Sequence, residues 1–230
     1  MEPLFLIPAR GGSKGLPGKN IKVFLGKPLI CHSIDNARTL TADENICVST
    51  DDDNIIRIVE DYGLAVPFKR PAELASDTSG TYEVILHALK HYEKKGKRFD
   101  VVILLQPTSP FRKSSQIAEA IKMFTSDIDM VASVKETHAN PYYLLFEENT
   151  QGYLEKSKKA NFTRRQDCPK VWELNGAIYI LNTKSLKQQP ISEFKKIVKY
   201  EMDDLTSMDI DTPADWMFSE FLVEKGLVKK

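Results

Sequence analysis

The stretch Leu4-Phe5-Leu6-Ile7-Pro8-Ala9-Arg10-Gly11-Gly12-Ser13-Lys14-Gly15-Leu16-Pro17-Gly18-Lys19-Asn20 joins an unbroken apolar run to a loop rich in glycine and cations. An apolar run without polar alternation suits a strand buried on both faces, and such strands belong to parallel sheets covered by helices. The chain then repeats this pattern. A helical period over 28–40 places Leu29, Ile30, Ser33, Ile34 and Ala37 on one face, and ICVS at 46–49 reads as a second strand. Residues 52–62 form a helix with Ile55, Ile56 and Val59 inward, and 82–95 form another. VVILL at 101–105 is the strongest strand signal and stops at Gln106-Pro107; a helix over 114–125 and a strand over 130–134 follow. AIYIL at 177–181, a strand over 197–200 and a helix from 213 to about 225 complete the pattern. Strands alternating with helices imply an α/β fold with a mainly parallel sheet flanked by helices, and 1–230 reads as a single domain. Ligands in such sheets gather at the carboxyl ends of the strands. The segments 8–20, 49–53 and 106–112 all begin there.

The 230 residues carry 32 Lys+Arg against 32 Asp+Glu, which argues against a nucleic-acid or anionic-membrane binder. That neutrality is an average over segregated charge. Residues 1–34 hold five cations, Arg10, Lys14, Lys19, Lys22 and Lys27, against Glu2 alone, while 201–215 hold six acids and no Lys or Arg. No apolar run approaches the roughly 20 residues of a membrane span, and residues 1–9 lack the pattern of a secretory signal, so a cytoplasmic location is expected. Cys31, Cys47 and Cys168 are odd in number and widely spaced, as inert thiols are. The i,i+4 pair His87 and His91 lacks HExxH context and reads as a solvated helix face.

Residues 138–170 break the α/β pattern: they are polar, aperiodic and interspersed with Tyr142, Tyr143, Phe146, Tyr153 and Phe162. About 30 residues cannot hold a core alone, so this is an excursion from the sheet, expected to be β-rich. Its aromatics suit pairing with a second subunit, making a homodimer the expected assembly.

Loop 8–20 offers four glycines for close backbone approach, with Arg10, Lys14 and Lys19 as cations and Ser13 as a hydroxyl donor, a set suited to a polyphosphate. It is no Walker loop. Ser13 stands five before Gly18 where that spacing needs glycine, and Asn20 replaces the Ser/Thr that would hold magnesium. In QPTSPFR at 106–112 two prolines stiffen a loop that can hold Gln106 and Arg112 toward a ligand. Asp209 and Asp211 precede Thr212-Pro213, a helix N-cap with proline at the first helical position. In an extended approach they point the same way and can converge on one cation; an acidic cap for the helix dipole is the competing reading. For 49–53, STDDD, a cap for the following helix is the better reading.

ARGGSKGLPGKN at 9–20 resembles the signature of the CMP-sialic acid synthetases, the acylneuraminate cytidylyltransferases. RPAELASD at 70–77, LLQPTSPFR at 104–112, NGAIY at 175–179 and DIDT at 209–212 fit that family in order, so the resemblance spans nearly the whole chain. It implies a Rossmann-like nucleotidyltransferase fold with a small dimerisation excursion. It also implies transfer of CMP from CTP to the anomeric hydroxyl of a nine-carbon α-keto acid sugar, with release of pyrophosphate. Arg10, Ser13, Lys14, Lys19, Asn20, Arg70 and Thr81 would hold the nucleotide, Lys19 stabilising the departing pyrophosphate. Gln106, Arg165 and Tyr179 would face the acceptor sugar; Arg164 is adjacent to Arg165, and Tyr179 reads equally as core. Asp209 and Asp211 would hold Mg²⁺, and one of them, Asp211 preferred, would take the hydroxyl proton. Arg10, Lys19 and Asp211 are thus the expected catalytic set.

Tyr142 and Tyr143 stand where some relatives place a lysine, and Glu173 near a position that can be basic. N-acetylneuraminate is the first expectation for the sugar, and these differences leave KDN, legionaminate and pseudaminate types open. The KDO-activating enzymes are the nearest rival, although their first loop tends to read SxRLPGKPL. A nucleotide-binding switch without transferase activity is the rival from another class.

Overall fold

A computed structural model describes residues 1–76 and 80–228. In chain order it contains β1 (Pro3–Pro8), β2 (Val23–Phe24), β3 (Lys27–Pro28), α1 (Leu29–Arg38), β4 (Ile46–Ser49), α2 (Asp53–Asp61) and α3 (Thr81–Lys94). Then come β5 (Val101–Leu104), α4 (Ser114–Lys122), β6 (Met130–Glu136), β7 (Phe146–Glu148), β8 (Leu154–Lys156), β9 (Trp172–Asn182), α5 (Thr183–Gln188), β10 (Ile197–Glu201) and α6 (Pro213–Glu224).

Six strands form one sheet in the order β10-β6-β9-β5-β1-β4. β1 pairs parallel with β4 and β5, and β10 parallel with β6. Alternate residues feed two cores. Phe5 and Ile7 of β1, with Val101 and Ile103 of β5, pack against Ile30, Ile34, Ile55, Val59 and Ile117 from α1, α2 and α4. Leu4 and Leu6, with Val102 and Leu104, pack against Ile85, Leu89 and Leu186 from α3 and α5. That double burial is why these strands read as continuous apolar runs. Truncating a fully buried residue such as Ile103 to alanine removes packing worth about 2–5 kcal/mol.

β9 departs from the expected pattern. The run at 177–181 is the middle of an 11-residue strand that lies antiparallel to both β5 and β6. No helix crosses over between β6 and β9; the chain leaves and returns at the same end of the sheet through 138–170, so β9 must run backward. The register slips between Ala132 and Val134, and Gly176 at φ 73° supplies the left-handed residue of the bulge.

The excursion is less β-rich than expected: β7 and β8, three residues each, form a two-stranded antiparallel hairpin outside the main sheet, and the rest of 138–170 is turns and irregular chain with the 3₁₀ turn Arg165–Asp167. Leu144, Leu145, Phe146, Tyr153 and Leu154 are exposed on it, while Tyr142 packs edge-on against Phe162 at 6.1 Å. His87 and His91 of α3 do not form a solvated face. Both rings pack on Phe68, with centroids 4.7 and 4.6 Å away, and His87 Nδ1 and His91 Nε2 are buried without a hydrogen-bond partner. Among the described residues no helix is long and apolar enough to cross a membrane.

Candidate active site

The carboxyl ends of β1 and β5, the bulge of β9, the N-terminus of α3 and the approach to α6 surround a cleft of about 630 Å³. Arg10, Ser13, Lys14, Lys19, Asn20, Arg70, Thr81, Gln106, Asp209 and Asp211 all line it, although they come from segments spread over the whole chain.

The glycine-rich loop is braced from two sides. Gly11 N–H donates to Asp51 Oδ1 at 3.2 Å, and a Cβ on Gly11 would stand 2.4 Å from Asp52 Oδ2. Segment 49–53 therefore does more than cap. Asp52 accepts from Asn54 N and Ile55 N at the start of α2, as expected, while Asp51 anchors the loop. A Cβ on Gly15 would stand 2.4 Å from the carbonyl oxygen of Asp211, so only glycine lets the loop approach the aspartate segment so closely. Gly18, at φ 67°, turns the chain into the short 3₁₀ helix Lys19–Ile21. There Asn20 is buried and its Nδ2 donates to the Arg10 carbonyl at 3.2 Å, closing the loop.

Arg70 is buried, 5% exposed, and is fixed by the end of β4: its Nε donates to Ser49 Oγ at 3.1 Å and its Nη2 to the Ser49 carbonyl. Burial pulls its guanidinium below the usual arginine value, against the opposing pull of Asp51. Asp77, the last residue of its motif, lies outside the described residues.

The capping reading of Asp209 and Asp211 fails on geometry. Thr212 caps α6 through Asp215 N–H at 3.2 Å, and the Asp215 carboxylate accepts from Thr212 N at 2.7 Å and Asp211 N at 3.2 Å. The two earlier carboxylates are left for the cleft. Burial pushes the Asp209 carboxyl above the usual range; a hydrogen bond from Thr108 opposes this and the charge of Asp211 adds to it. Lys19 Nζ donates to Asp211 Oδ1 at 2.5 Å and to the Ile210 carbonyl at 3.1 Å. Adjacent carboxylates that destabilise one another are a donor set that a hard divalent cation stabilises. Among the described residues no group of three or more His, Cys, Asp or Glu side chains converges. Asp209 and Asp211 are thus the residues that could hold a divalent cation, and one or two carboxylates are enough for Mg²⁺, which keeps several of its waters.

Two sequence expectations change, those for Arg165 and Arg112, while Tyr179 falls between its two readings. Arg165 does not line the cleft; it is exposed at the base of the excursion, in a second cavity of about 410 Å³ with Glu136, His138 and Lys170, and its Nη2 donates to His138 Nδ1 at 3.1 Å. The distance in sequence to Asn175 could not show that 138–170 folds away from the sheet. Its neighbour Arg164 pairs with Asp167 at 2.8 Å. Tyr179 is half-buried on the α3 side of β9, its hydroxyl raised above the usual value by burial against a hydrogen bond from the Gly176 backbone. It is not among the residues that line the cleft. Arg112 points inward and is 2% exposed, so it cannot touch a ligand from there. Thr108 and Gly176, which do line the cleft, were present in the quoted motifs but carried no chemical signal of their own.

Comparison with known proteins agrees with this architecture. Residues 4–222 match the family model described as cytidylyltransferase. The chain is 38% identical to post-translational flagellin modification protein B of Campylobacter coli, over 100% of this chain and 98% of that protein. It is 34% identical to CMP-N,N'-diacetyllegionaminic acid synthase of Legionella pneumophila, over 97% of each. A solved structure of CMP:2-keto-3-deoxy-manno-octonic acid synthetase complexed with CTP superposes with a TM-score of 0.72 at 21% identity, covering 98% of this chain and 100% of that one, which shows the shared nucleotidyltransferase fold. The chain belongs to the cytidylyltransferase family and is a nucleotidyltransferase enzyme.

Proposed function

We propose that this enzyme transfers CMP from CTP to the anomeric hydroxyl of a nine-carbon α-keto acid sugar, releasing pyrophosphate. The observation that carries the reading is one cleft lined at once by Arg10, Lys14 and Lys19 and by the Asp209/Asp211 pair. The chemistry needs little covalent help from the protein; positioning and charge neutralisation dominate.

Arg10, Ser13, Lys14 and Lys19 hold the triphosphate, and Asn20, Arg70 and Thr81 orient the nucleotide. Gln106, at the end of β5, faces the acceptor sugar. Asp209 and Asp211 would hold Mg²⁺, which when bound offsets negative charge on the phosphates. The sugar hydroxyl oxygen bonds to the α-phosphorus, the bond to the oxygen bridging the α- and β-phosphorus breaks, and pyrophosphate leaves with Lys19 beside it. The hydroxyl proton passes to an aspartate, with Asp211 preferred. Lys19 must exchange its Asp211 partner for phosphate oxygen as CTP enters.

Similarity at 34% identity to the diacetyllegionaminic acid synthase and at 35% to an N-acylneuraminate cytidylyltransferase supports a nine-carbon sugar acid without separating the legionaminate from the N-acetylneuraminate type. The exposed apolar residues of the 138–170 hairpin support a homodimer, and the use of CTP suits a cytoplasmic enzyme. Pyrophosphate release with CTP and Mg²⁺ is the test, run across legionaminate, pseudaminate, N-acetylneuraminate, KDN and KDO. Release with a nonulosonate is expected. Turnover with KDO alone transfers the reading to the eight-carbon class, and nucleotide turnover without any acceptor rejects it.

A further inference from the structure

Arg112 ends the 106–112 motif, yet its guanidinium is buried among neutral groups. Nη1 donates to the carbonyls of Gln106 at 3.1 Å and Ala177 at 2.6 Å, and Nη2 donates to Ser33 Oγ at 2.6 Å. Nε is buried without a partner, and none of the bonds that the guanidinium makes is to a carboxylate. Burial lowers the group to about 9, so it remains charged at neutral pH. A buried cation without a matching anion weighs against stability, and an apolar side chain of similar volume would serve the core better.

The placement of the bonds gives the arginine another purpose. Its fork joins α1 at Ser33, the chain leaving β5 at Gln106, and β9 at Ala177, just past the bulge. Asn36 Nδ2 on α1 donates back to the Arg112 carbonyl at 2.9 Å. Gln106 and Gly176, the neighbour of Ala177, are cleft residues. Farther along, the N–H of Ile210, which lies between Asp209 and Asp211 in the chain, donates to the Thr108 carbonyl at 2.8 Å. Segment 106–108 is thus fastened to Arg112 at one end and to the aspartate segment at the other.

We infer that Arg112 is a positioning residue whose buried fork sets the 106–108 wall of the cleft, and through it the acceptor-facing amide of Gln106 and the carboxylate of Asp209. The inference rests on the cytidylyltransferase reading of the cleft. A lysine, being a point charge, cannot bridge two carbonyls and a hydroxyl with fixed geometry.

The test uses the full chain as R112K, S33A, Q106A and the double variants R112K/Q106A and S33A/Q106A. Kinetics are normalised to folded enzyme, with hydrogen exchange followed at the Ile210 amide. Expected for R112K are a kcat loss of about tenfold or more, a raised KM for the sugar acid, a KM for CTP within about twofold, and faster Ile210 exchange at matched global stability. S33A, which leaves both arginine–carbonyl bonds but removes the Ser33 Oγ bond to the Gln106 carbonyl at 3.4 Å as well, moves the same constants less. R112K/Q106A should fall no lower than about twofold below Q106A alone, because both changes remove one arrangement. Should R112K not fold, S33A and S33A/Q106A decide by the same criteria. Additive losses, unchanged kinetics per folded molecule, a loss confined to CTP KM, or unchanged Ile210 exchange would overturn the inference. If the unmodified enzyme turns over no sugar acid, the reading of the cleft fails, and Ile210 exchange then decides the clamp alone.

Discussion

Lys19 Nζ and Asp211 Oδ1 lie 2.5 Å apart, although 192 positions separate them in the chain. The lysine side chain is 12% exposed and the aspartate 64%, so the contact lies at the mouth of the cleft. The glycine-rich loop and the aspartate segment before α6 are therefore joined by one ion pair. With the carboxylate largely in water, a pair of this kind contributes on the order of 1 kcal/mol to stability.

Asp211→Asn should consequently leave the melting temperature nearly unchanged while lowering kcat by about 10²-fold or more, the scale of losing a positioned proton acceptor. Pyrophosphate release and thermal melts on the same preparation check this. Near-normal turnover would reject a catalytic Asp211.

The glycines of loop 10–20 are not equivalent. Gly15→Ala would force the loop off the Asp211 carbonyl and should cut turnover by about tenfold or more, since small displacements of positioned groups carry large rate penalties. Gly12, with nothing within 4 Å of its added Cβ, should accept alanine within about twofold. Equal effects of the two substitutions, in kinetics with CTP, would contradict this account of the loop.

Burial holds His87 and His91 below the ordinary imidazole value of 6.5, with Arg70 adding to the effect on the first and Lys95 on the second. Above pH 6.5 both are neutral in folded and unfolded chains alike, and their packing on Phe68 is intact. Below that value the unfolded chain binds protons that the folded one resists, so stability falls as pH drops toward the folded values. Urea unfolding from pH 7.5 to 5 should show this loss, and the double variant His87→Gln/His91→Gln should flatten it. An identical slope in the variant would remove the histidines as its source.

The hairpin of β7 and β8 exposes Phe146 at 47% and Leu154 at 70%. If it joins two subunits, sedimentation of the native chain should give a dimer, and Phe146→Glu with Leu154→Glu should give a folded monomer. A native monomer at micromolar concentration, or a dimer that survives both charges, would exclude this surface.

Much of this was legible in the chain. Strands β1, β4 and β5 and helices α1 to α4 follow from burial periodicity, a local property that side-chain order alone records. Asp52 and Thr212 announced the starts of α2 and α6 by capping chemistry, which acts within a turn. Every nucleotide-facing residue expected from the motifs lines the cleft, because glycine and lysine spacing in a loop reflects its local task.

Tertiary structure alone decided the rest. The direction of β9 depends on how the excursion returns, and periodicity is the same for a strand read either way. Arg165 and Arg112 looked like ligand-facing cations, since a sequence shows that a residue is charged but not which way its backbone aims it. One went to a second cavity and the other into the core, against Gln106, Ala177 and Ser33. Local forces set the elements and the loop chemistry; contacts between segments distant in the chain, 192 positions apart for Lys19 and Asp211, set which charges meet.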